Sequence, residues 1–397
     1  MSLADRPLVY RGMLKITDYK LLGELPDPFL SESGKRIRDP SEWDTRRSEI
    51  YRTAVELQYG TMPPEPEFLE VEKLYAGGRE NSYLIRTGTR ENPVSFRLKL
   101  ILPPEAYGLS PQKVPVIVDG DLCFGYVTRA DWIETALESG VARALFDRTE
   151  LAHDVKNEKR EEAGALYRTY PGYTFGALGA WAWGYSRVTD ALEIIGKTDM
   201  NCVVFSGHSR GGKTAALAGA LDTRAAIVNP NETCAGACSC YRVHITGSYE
   251  GAEPKRSETL ADLYRNFPFW IGPGMAEYTQ RENELPFDCH FLKAMIAPRT
   301  LFVSEAAGDL WANPVGSYIT TTAAREVYKF LGAEEELFWY FRPGKHAHNV
   351  EDVEMLLKLI ERRVTGEFKA GSRFFNLPFE FPDEELGRAF TWRAPLI

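Results

Sequence analysis

The chain has 397 residues, of which 44% are hydrophobic and 26% are charged, and its formal net charge is −9. These are ordinary globular values, and a chain of this length can bury a large core. The acidic balance, with no block of Lys or Arg, disfavours a nucleic acid or an anionic membrane as partner, because nothing would neutralise phosphate charges. No secretory signal is visible at the start of the chain, and no apolar run reaches the length of a membrane span.

The first quarter of the chain predicts a lead-in, a helix and a group of antiparallel strands. The lead-in is rich in Pro and charged residues and runs from Pro26 to Pro40. Ser41, with Asp44 three residues later, predicts the start of a helix that ends at Gly60. Residues 64–105 then alternate apolar and polar side chains in short segments broken by Gly and Asn-Pro. We expect these segments to be outer strands of a sheet.

The remainder predicts strands that alternate with helices, interrupted by a polar excursion from Asn229 to Arg256. The predicted strands are Val114 to Val118, Gly140 to Phe146, the run before Ser209, Ala225 to Val228, Thr300 to Ser304 and Glu336 to Phe341. The predicted helices are Asp131 to Glu138, Phe175 to Ile195, Ser317 to Phe330 and Val350 to Arg363.

The stretch VVFSGHSRGGKTAALAGAL, Val203 to Leu221, predicts a buried strand, a tight turn and a helix. Its turn contains G-x-S-x-G, the pattern of a nucleophile elbow, in which Ser209 stands on a strained turn beside backbone N–H groups that can stabilise an oxyanion. A Gly-rich turn that only packs is the alternative. The strand before the turn and the Ala-rich helix after it favour a nucleophilic serine.

The elbow and the alternating elements predict an α/β-hydrolase fold, with a mostly parallel central sheet and helices on both faces. We expect a single domain over residues 1–397. Residues 1–40 would be the lead-in, and residues 41–397 the catalytic domain.

A serine hydroxyl is a poor nucleophile at neutral pH, so it needs a base and an orienting acid. Two histidines, His346 and His348, follow a late strand, and His346 is preferred because it is nearer the strand end. Two acids compete. Asp309 follows the predicted strand that starts at Thr300, where most enzymes of this architecture place the acid, and Glu232 follows the preceding strand. Spacing alone does not choose between them.

Six cysteines are present, and three of them form the cluster Cys234, Cys238 and Cys240. The cluster is compatible with free thiols, with one disulfide or with a metal. The C-x3-C-x-C spacing lacks a second ligand pair at zinc spacing, so a metal is the least favoured of the three.

The segment GHSRGGK, Gly207 to Lys213, resembles the G-C-S-R-x-G-K signature of glucuronoyl esterases, carbohydrate esterase family 15. These enzymes cleave ester bonds between lignin alcohols and the 4-O-methylglucuronic acid branches of xylan. The resemblance spans roughly Trp43 to Leu359 in the family's order, through the segments SEWDTRRSEIYR…QYGTMPP, YPGYTFGALGAWAWGYSRVTDAL, LPFDCHFLKAMIAPRTLFV, GDLWANPVGSY and RPGKHAHNVED. His208 stands where fungal members have a disulfide-forming Cys, so the chain resembles a bacterial-type member.

The resemblance implies a catalytic role for several residues. Ser209 matches the nucleophile, Arg210 the residue that holds the oxyanion, and His346 the base. Glu232, 23 residues past Ser209, matches the family's acid and becomes the preferred one, with Asp309 as the alternative.

The resemblance also implies a site for the sugar. Lys213 matches a Lys that contacts sugar hydroxyls, and Trp311 and Glu258 match positions lining the glucuronate pocket. The alternatives without a binding role are a salt bridge at the helix start for Lys213 and core packing for Trp311.

The expected function is a serine esterase acting on esters of glucuronic acid, with no metal or organic cofactor. The expected partner is the uronate ester of a small molecule or polysaccharide, with neither nucleic acid nor membrane involved. We expect a monomer and, by resemblance, a secreted or periplasmic location. An acetyl xylan esterase or another carboxylesterase is the enzymatic alternative, and an inactive carbohydrate-binding relative is a remote one.

Overall fold

A nine-stranded sheet forms the centre of the computed structural model, which describes residues 13–157, 159–367 and 383–396. Its strand order is β12-β11-β8-β7-β5-β6-β4-β3-β2. The strands are β2 (Phe68–Ala76), β3 (Glu80–Gly88), β4 (Pro93–Ile101), β5 (Val114–Asp119), β6 (Ala142–Phe146), β7 (Thr198–His208), β8 (Ala225–Asn231), β11 (Thr300–Ala306) and β12 (Leu337–Arg342).

The helices connect these strands and cover the sheet. They are α1 (Trp43–Ile50), α2 (Leu57–Tyr59), α3 (Ala130–Glu138), α4 (Ala165–Thr169), α5 (Ala177–Ile195), α6 (Arg210–Leu221), α7 (Leu260–Asn266), α8 (Cys289–Ala294), α9 (Pro314–Phe330), α10 (Val350–Thr365) and α11 (Asp383–Ala389). None of the helices in the described ranges is long and apolar enough to cross a membrane.

Six neighbouring strands, from β6 through β5, β7, β8 and β11 to β12, are parallel. The outer strands β4, β3 and β2 are antiparallel and are joined by short turns. This difference follows from the connections, because a short turn reverses the chain whereas a parallel neighbour requires a crossover. The predicted outer antiparallel strands and the predicted parallel strands are both confirmed.

The sheet has an apolar core on each face, because successive side chains of a buried strand point to opposite sides. On β7, Val203 and Phe205 belong to one core cluster with Trp181 of α5 and Leu217 of α6. Val204 belongs to a second cluster. That second cluster also contains Trp132 and Ile133 of α3 and Leu356 and Ile360 of α10. The three layers of the predicted α/β-hydrolase fold are therefore present.

A smaller sheet, in the order β1-β9-β10, was not predicted. Its strands are β1 (Leu14–Leu21), β9 (Val243–Tyr249) and β10 (Lys255–Arg256). β9 and β10 lie within the polar excursion after β8. The burial of β9 alternates strictly from residue to residue, which is the pattern of a strand with one covered face. That alternation was present in the sequence as VHITGSY.

The predicted first helix exists, but its predicted cap is wrong. The side chain of Asp39 accepts a hydrogen bond from Ser41 N, and Glu42 completes a capping box at a short 3₁₀ turn before α1. Asp39 takes this role because its carboxylate lies next to the first free N–H groups. A π-helical segment, Tyr51–Glu56, follows α1.

All six cysteines are free, and five of them are buried. Of the alternatives considered for Cys234, Cys238 and Cys240, the structure therefore contains free thiols. The start of the chain, where no secretory signal was expected, lies outside the described residues. The division into a lead-in over residues 1–40 and one catalytic domain remains a prediction.

Candidate active site

Ser209 lies between the end of β7 and the start of α6, in the strained turn that the sequence predicts. Its backbone angles are φ 58° and ψ −119°, a region that side chains with a Cβ rarely occupy. A hydrogen bond from Ser209 N to the carbonyl oxygen of Asn231, at 2.9 Å, stabilises this strained conformation. The flanking glycines are required by space: a Cβ on Gly207 would overlap the carbonyl oxygen of Gly211, and a Cβ on Gly211 would overlap the carboxylate of Asp121.

His346 lies in the loop between β12 and α10, and two carboxylates face one of its nitrogens. Nδ1 of His346 is 2.5 Å from Oδ2 of Asp309 and 3.2 Å from Oε2 of Glu232. Asp309 follows β11 and Glu232 follows β8, so both acids come from the carboxyl ends of neighbouring parallel strands. The two candidate acids are therefore together at the same imidazole.

Glu232 is fully buried and held by several partners. Oε1 accepts a hydrogen bond from Arg342 Nη2 at 2.5 Å, and Oε2 accepts one from Ala347 N at 2.9 Å. Arg342 also pairs with Asp352 at 2.8 Å, and all three side chains of this chain of ion pairs are inaccessible to solvent. Glu232 has a positive φ of 46°, which turns the backbone sharply out of β8. The carboxylate is thus fixed both by its backbone and by its contacts.

The electrostatics of this cluster follow from burial and from the facing charges. Burial raises the pKa of Glu232 to about 7, because it penalises the charged form more than His346 and Arg342 stabilise it. Burial would lower the pKa of His346, but its hydrogen bonds to Asp309 and Glu232 outweigh that effect and raise the pKa to about 10. His346 therefore takes up a proton more readily than an isolated imidazole.

His348, the second candidate base, is placed elsewhere. It is buried, and its ring packs edge-on against Trp132 of α3 at a centroid distance of 4.3 Å. Burial lowers the pKa of His348 far below its ordinary value, so the ring is neutral. Of the two histidines, only His346 is brought to the acids.

The ring of His346 lies close to the elbow, because it packs against the residue before Ser209. The centroids of the imidazoles of His208 and His346 are 4.4 Å apart. Nδ1 of His208 is also hydrogen bonded to Oδ1 of Asn231 at 2.5 Å. The nucleophile candidate and the base candidate thus share one small region at the carboxyl ends of the strands.

The side chain of Arg210 is braced beside the elbow. Its Nη1 donates to Oδ2 of Asp154 at 2.8 Å, and Oδ1 of Asp154 accepts from Trp270 Nε1 at 2.8 Å. The guanidinium also lies over aromatic rings, 4.7 Å from Trp270, 5.3 Å from Phe267 and 5.5 Å from Phe124. These contacts position a partly exposed positive charge next to Ser209.

Lys213 and Glu258 form a buried pair. Nζ of Lys213 donates to the carbonyl oxygens of Thr233 and Ala235 and lies 3.5 Å from Oε2 of Glu258. Oε2 of Glu258 in turn accepts from Ala235 N at 3.1 Å. The pair thus secures the segment that follows Glu232, and contact of either side chain with a sugar remains a prediction.

Trp311 is partly exposed, with 37% of its surface accessible. The guanidinium of Arg256 lies over its ring at 5.5 Å, and its carbonyl oxygen accepts from Glu258 N at 3.0 Å. The backbone of Trp311 is therefore tied to that of Glu258, on the segment that also carries Asp309. The surface of its side chain is available for a ligand, whereas a fully buried core side chain would not be.

One group in the described ranges has the composition of a metal site. Ligand atoms of His208, Glu232 and His346 lie within 4.8 Å of one another. The contacts above already engage both oxygens of Glu232 and one nitrogen of each histidine with protein partners. These groups are arranged for hydrogen bonding within the protein.

Several residues of the site were not identified from the sequence. Asp121, Asn231 and Arg342 lie at or just after the carboxyl ends of β5, β8 and β12, and Asp154 lies in the loop after β6. Their position after predicted parallel strands was an available signal, because such loops meet at one edge of the sheet. Their partners depend on loop conformations that no spacing rule gives.

The central sheet covered by helices on both faces, together with the serine elbow at the carboxyl end of β7, defines an α/β-hydrolase. A family model described as glucuronyl esterase of fungi matches residues 85–332, more than half of the chain. A 4-O-methyl-glucuronoyl methylesterase of Podospora anserina is 30% identical over 329 residues, which cover 82% of this chain and 64% of that protein. The chain thus spans less than two thirds of that relative's length. It belongs to the glucuronoyl esterase family, a family of carboxylic ester hydrolases.

Solved structures agree with this assignment. A carbohydrate esterase family 15 glucuronoyl esterase from Caldicellulosiruptor kristjansonii has a TM-score of 0.79 and 28% identity, with 91% of this chain and 95% of that chain covered. A glucuronoyl esterase mutant from Sporotrichum thermophile, in complex with methyl 4-O-methyl-β-D-glucopyranuronate, has a TM-score of 0.73 and 25% identity, with 93% and 95% covered. The predicted family and fold are confirmed.

Proposed function

We propose that the protein is a serine esterase that hydrolyses esters of glucuronic acid and its 4-O-methyl derivative. The observation that carries the proposal is the imidazole of His346, held at Nδ1 by two carboxylates and packed against the residue that precedes Ser209. Membership of the glucuronoyl esterase family supports the substrate class. The methyl glucuronate bound in the related structure is an ester of the same kind.

In the first half of the reaction, Ser209 Oγ attacks the C6 carbonyl carbon of the uronate while His346 takes the hydroxyl proton. Asp309 and Glu232 fix the ring through Nδ1 and stabilise the imidazolium that forms. When the tetrahedral intermediate collapses, the bond to the alcohol breaks and His346 returns the proton to the leaving oxygen. Water then attacks the glucuronoyl-serine by the same route and releases the free acid.

The negative charge of the tetrahedral oxygen is placed next to Arg210 and the start of α6. The first N–H groups of a helix have no partner within the helix, and they point toward an anion at its N-terminus. Arg210 adds a positive charge that Asp154 and Trp270 already hold in place, so little reorganisation is needed when the charge develops.

The sugar lies on the acyl side of the ester, so its ring occupies the region beyond Ser209. We expect the sugar ring to meet Trp311, whose side chain is partly exposed. Lys213 and Glu258 shape the segment that follows Glu232. A uronate is preferred over an acetyl group if these residues contact the ring, because acetate has no hydroxyl groups to bind.

Hydrolysis of benzyl glucuronate, followed by the release of benzyl alcohol, tests the proposal. A 4-nitrophenyl acetate assay and the Ser209→Ala variant serve as controls. Turnover of the glucuronate well above acetate, lost in Ser209→Ala, is the expected result. Turnover of acetate alone would indicate an acetyl esterase, and turnover of neither would indicate a binding protein. A monomeric state and a location outside the cytoplasm belong to the proposal as predictions.

A further inference from the structure

His208 is joined to three strand ends of the sheet. Its backbone N–H donates to Oδ2 of Asp121 after β5 at 3.0 Å, and its ring is hydrogen bonded to Asn231 at the end of β8. Nδ2 of Asn231 donates to Ser304 Oγ of β11 at 2.8 Å. His208 and Asn231 are also paired in the parallel ladder of β7 and β8. The imidazole therefore has a fixed place relative to the sheet.

The backbone of His346, by contrast, does not belong to a strand of the sheet. The residue lies in the irregular segment between β12 and α10, and 41% of its side chain is exposed. Asp309 and Glu232 contact only Nδ1, and the ring is joined to the backbone through two rotatable bonds, Cα–Cβ and Cβ–Cγ, so these contacts leave it some freedom to tilt. The ring of His208 packs against it at 4.4 Å between centroids and 38° between planes, and this tilted contact restricts the movement.

The ring of His208 is also uncharged. Burial, together with the nearby His346, lowers the pKa of His208 to about 3. Its remaining ring neighbours are Tyr126, edge-on at 6.0 Å, and the neutral His348 at 5.7 Å. A proton gained by His346 therefore meets no like charge on the ring packed against it.

We propose that His208 is a positioning residue for His346: its ring, anchored to β8, sets the plane of the base so that Nε2 faces Ser209. This inference rests on the proposed function. It assigns a role to a position that precedes the nucleophile and takes no part in proton transfer. The ring of His208 makes the direct contact with His346, and the hydrogen bond to Asn231 has the secondary role of holding that ring in place.

Three variants separate the ring from its hydrogen bond. His208→Phe keeps a flat ring without a donor, His208→Gln keeps an N–H donor without a ring, and His208→Ala keeps neither. We expect kcat for benzyl glucuronate to fall about 10- to 100-fold in the Gln and Ala variants, with KM changed by less than about threefold, because a misplaced base slows chemistry without weakening binding. We expect kcat of the Phe variant to remain within about fivefold of the parent.

His290→Ala is the matched control. His290 is also a buried neutral histidine, with Nε2 2.8 Å from the carbonyl oxygen of Pro26 and its ring stacked on Trp392. Its loss should lower the melting temperature without changing kcat, measured well below that temperature. The contrary result has two parts: kcat of the three His208 variants falls in proportion to their melting temperatures, and kcat of His290→Ala falls to the same extent. This result would show that His208 has only a structural role.

Other outcomes also decide the question. Full activity of His208→Ala would overturn the proposal, and so would a Gln variant that outperforms the Phe variant. If the parent does not hydrolyse benzyl glucuronate but does hydrolyse 4-nitrophenyl acetate, the proposed substrate fails. The three His208 variants and the His290→Ala control are then assayed with 4-nitrophenyl acetate, because the base must be correctly positioned for either ester.

Discussion

Asp309 and Glu232 contact the same nitrogen of His346 from two different strands of the sheet, at 2.5 and 3.2 Å. The two acids are not equivalent. Glu232 also accepts hydrogen bonds from Arg342 and Ala347, whereas within the described ranges the second oxygen of Asp309 accepts one long hydrogen bond, 3.3 Å, from Ala312 N. The two carboxylates therefore have different environments, and we expect their substitution to have different effects.

We expect Asp309→Asn to lower kcat/KM more than Glu232→Gln, because Asp309 makes the shorter hydrogen bond to His346. In addition, Glu232 is partly protonated near neutral pH, since its pKa is raised to about 7. Loss of the orienting acid from a serine triad costs up to about 10⁴-fold. We expect about 10²-fold or more for Asp309→Asn and a smaller loss for Glu232→Gln. Steady-state kinetics with benzyl glucuronate measure both. Equal losses would mean that the two carboxylates act as one unit, and the reverse order would make Glu232 the principal acid.

The pH dependence of kcat/KM should follow the protonation of His346, which must be neutral to act as a base. The pKa of this group is raised above its ordinary 6.5 to about 10, so activity should still be rising as the pH passes 7. Glu232→Gln removes one of the groups that raise this pKa. Its acid limb should therefore move to lower pH by about one to three units. Profiles corrected for uncatalysed ester hydrolysis test this, and an unmoved or upward-shifted limb would contradict it.

Arg210→Lys should lower kcat by about 10²- to 10³-fold with little change in KM, since an oxyanion contact is made mainly in the transition state.

Asp154→Asn should lower kcat about tenfold, because it weakens the charged hydrogen bond that holds Arg210. Asp131→Asn is the control, since Asp131 pairs with Arg129 on the surface of the protein. A wild-type rate in Arg210→Lys would remove Arg210 from the oxyanion site.

Gly207→Ala should destabilise the protein by about 1–3 kcal/mol or more, because the new Cβ meets backbone that cannot move away. Gly172→Ala is the matched control, since no heavy atom lies within 4 Å of a Cβ built there. Denaturant unfolding of both variants measures the difference. Equal stabilities would show that the turn around Ser209 relaxes to accept a side chain.

The elbow, the order of the elements and the loops carrying the acids and the base were predictable, because parallel strands deliver their following loops to one edge of the sheet. What could not be predicted depends on backbone angles within those loops. The positive φ of Glu232 brings a second carboxylate to His346, and no sequence signal near it requires that angle.

The burial of Lys213 could not be predicted from the sequence either. A lysine at a helix start is usually solvated, but here the ammonium group is held by two carbonyl oxygens and Glu258. Whether a charged side chain turns inward depends on the fold of the polar excursion after β8, which the sequence did not give in detail. The small sheet was missed for the same reason, although the alternation of β9 was visible.

Asn231 serves three neighbours at once: its carbonyl oxygen holds Ser209, its side chain holds His208, and its peptide bond leads directly into Glu232. Because successive residues of a strand face opposite sides, inserting or deleting a single residue within β8 would turn the amide of Asn231 away from His208. It would misplace the acid in the same step. At this part of the chain, a change in length is therefore expected to be tolerated only after Glu232, where it would leave the contacts of Asn231 with Ser209 and His208 in place.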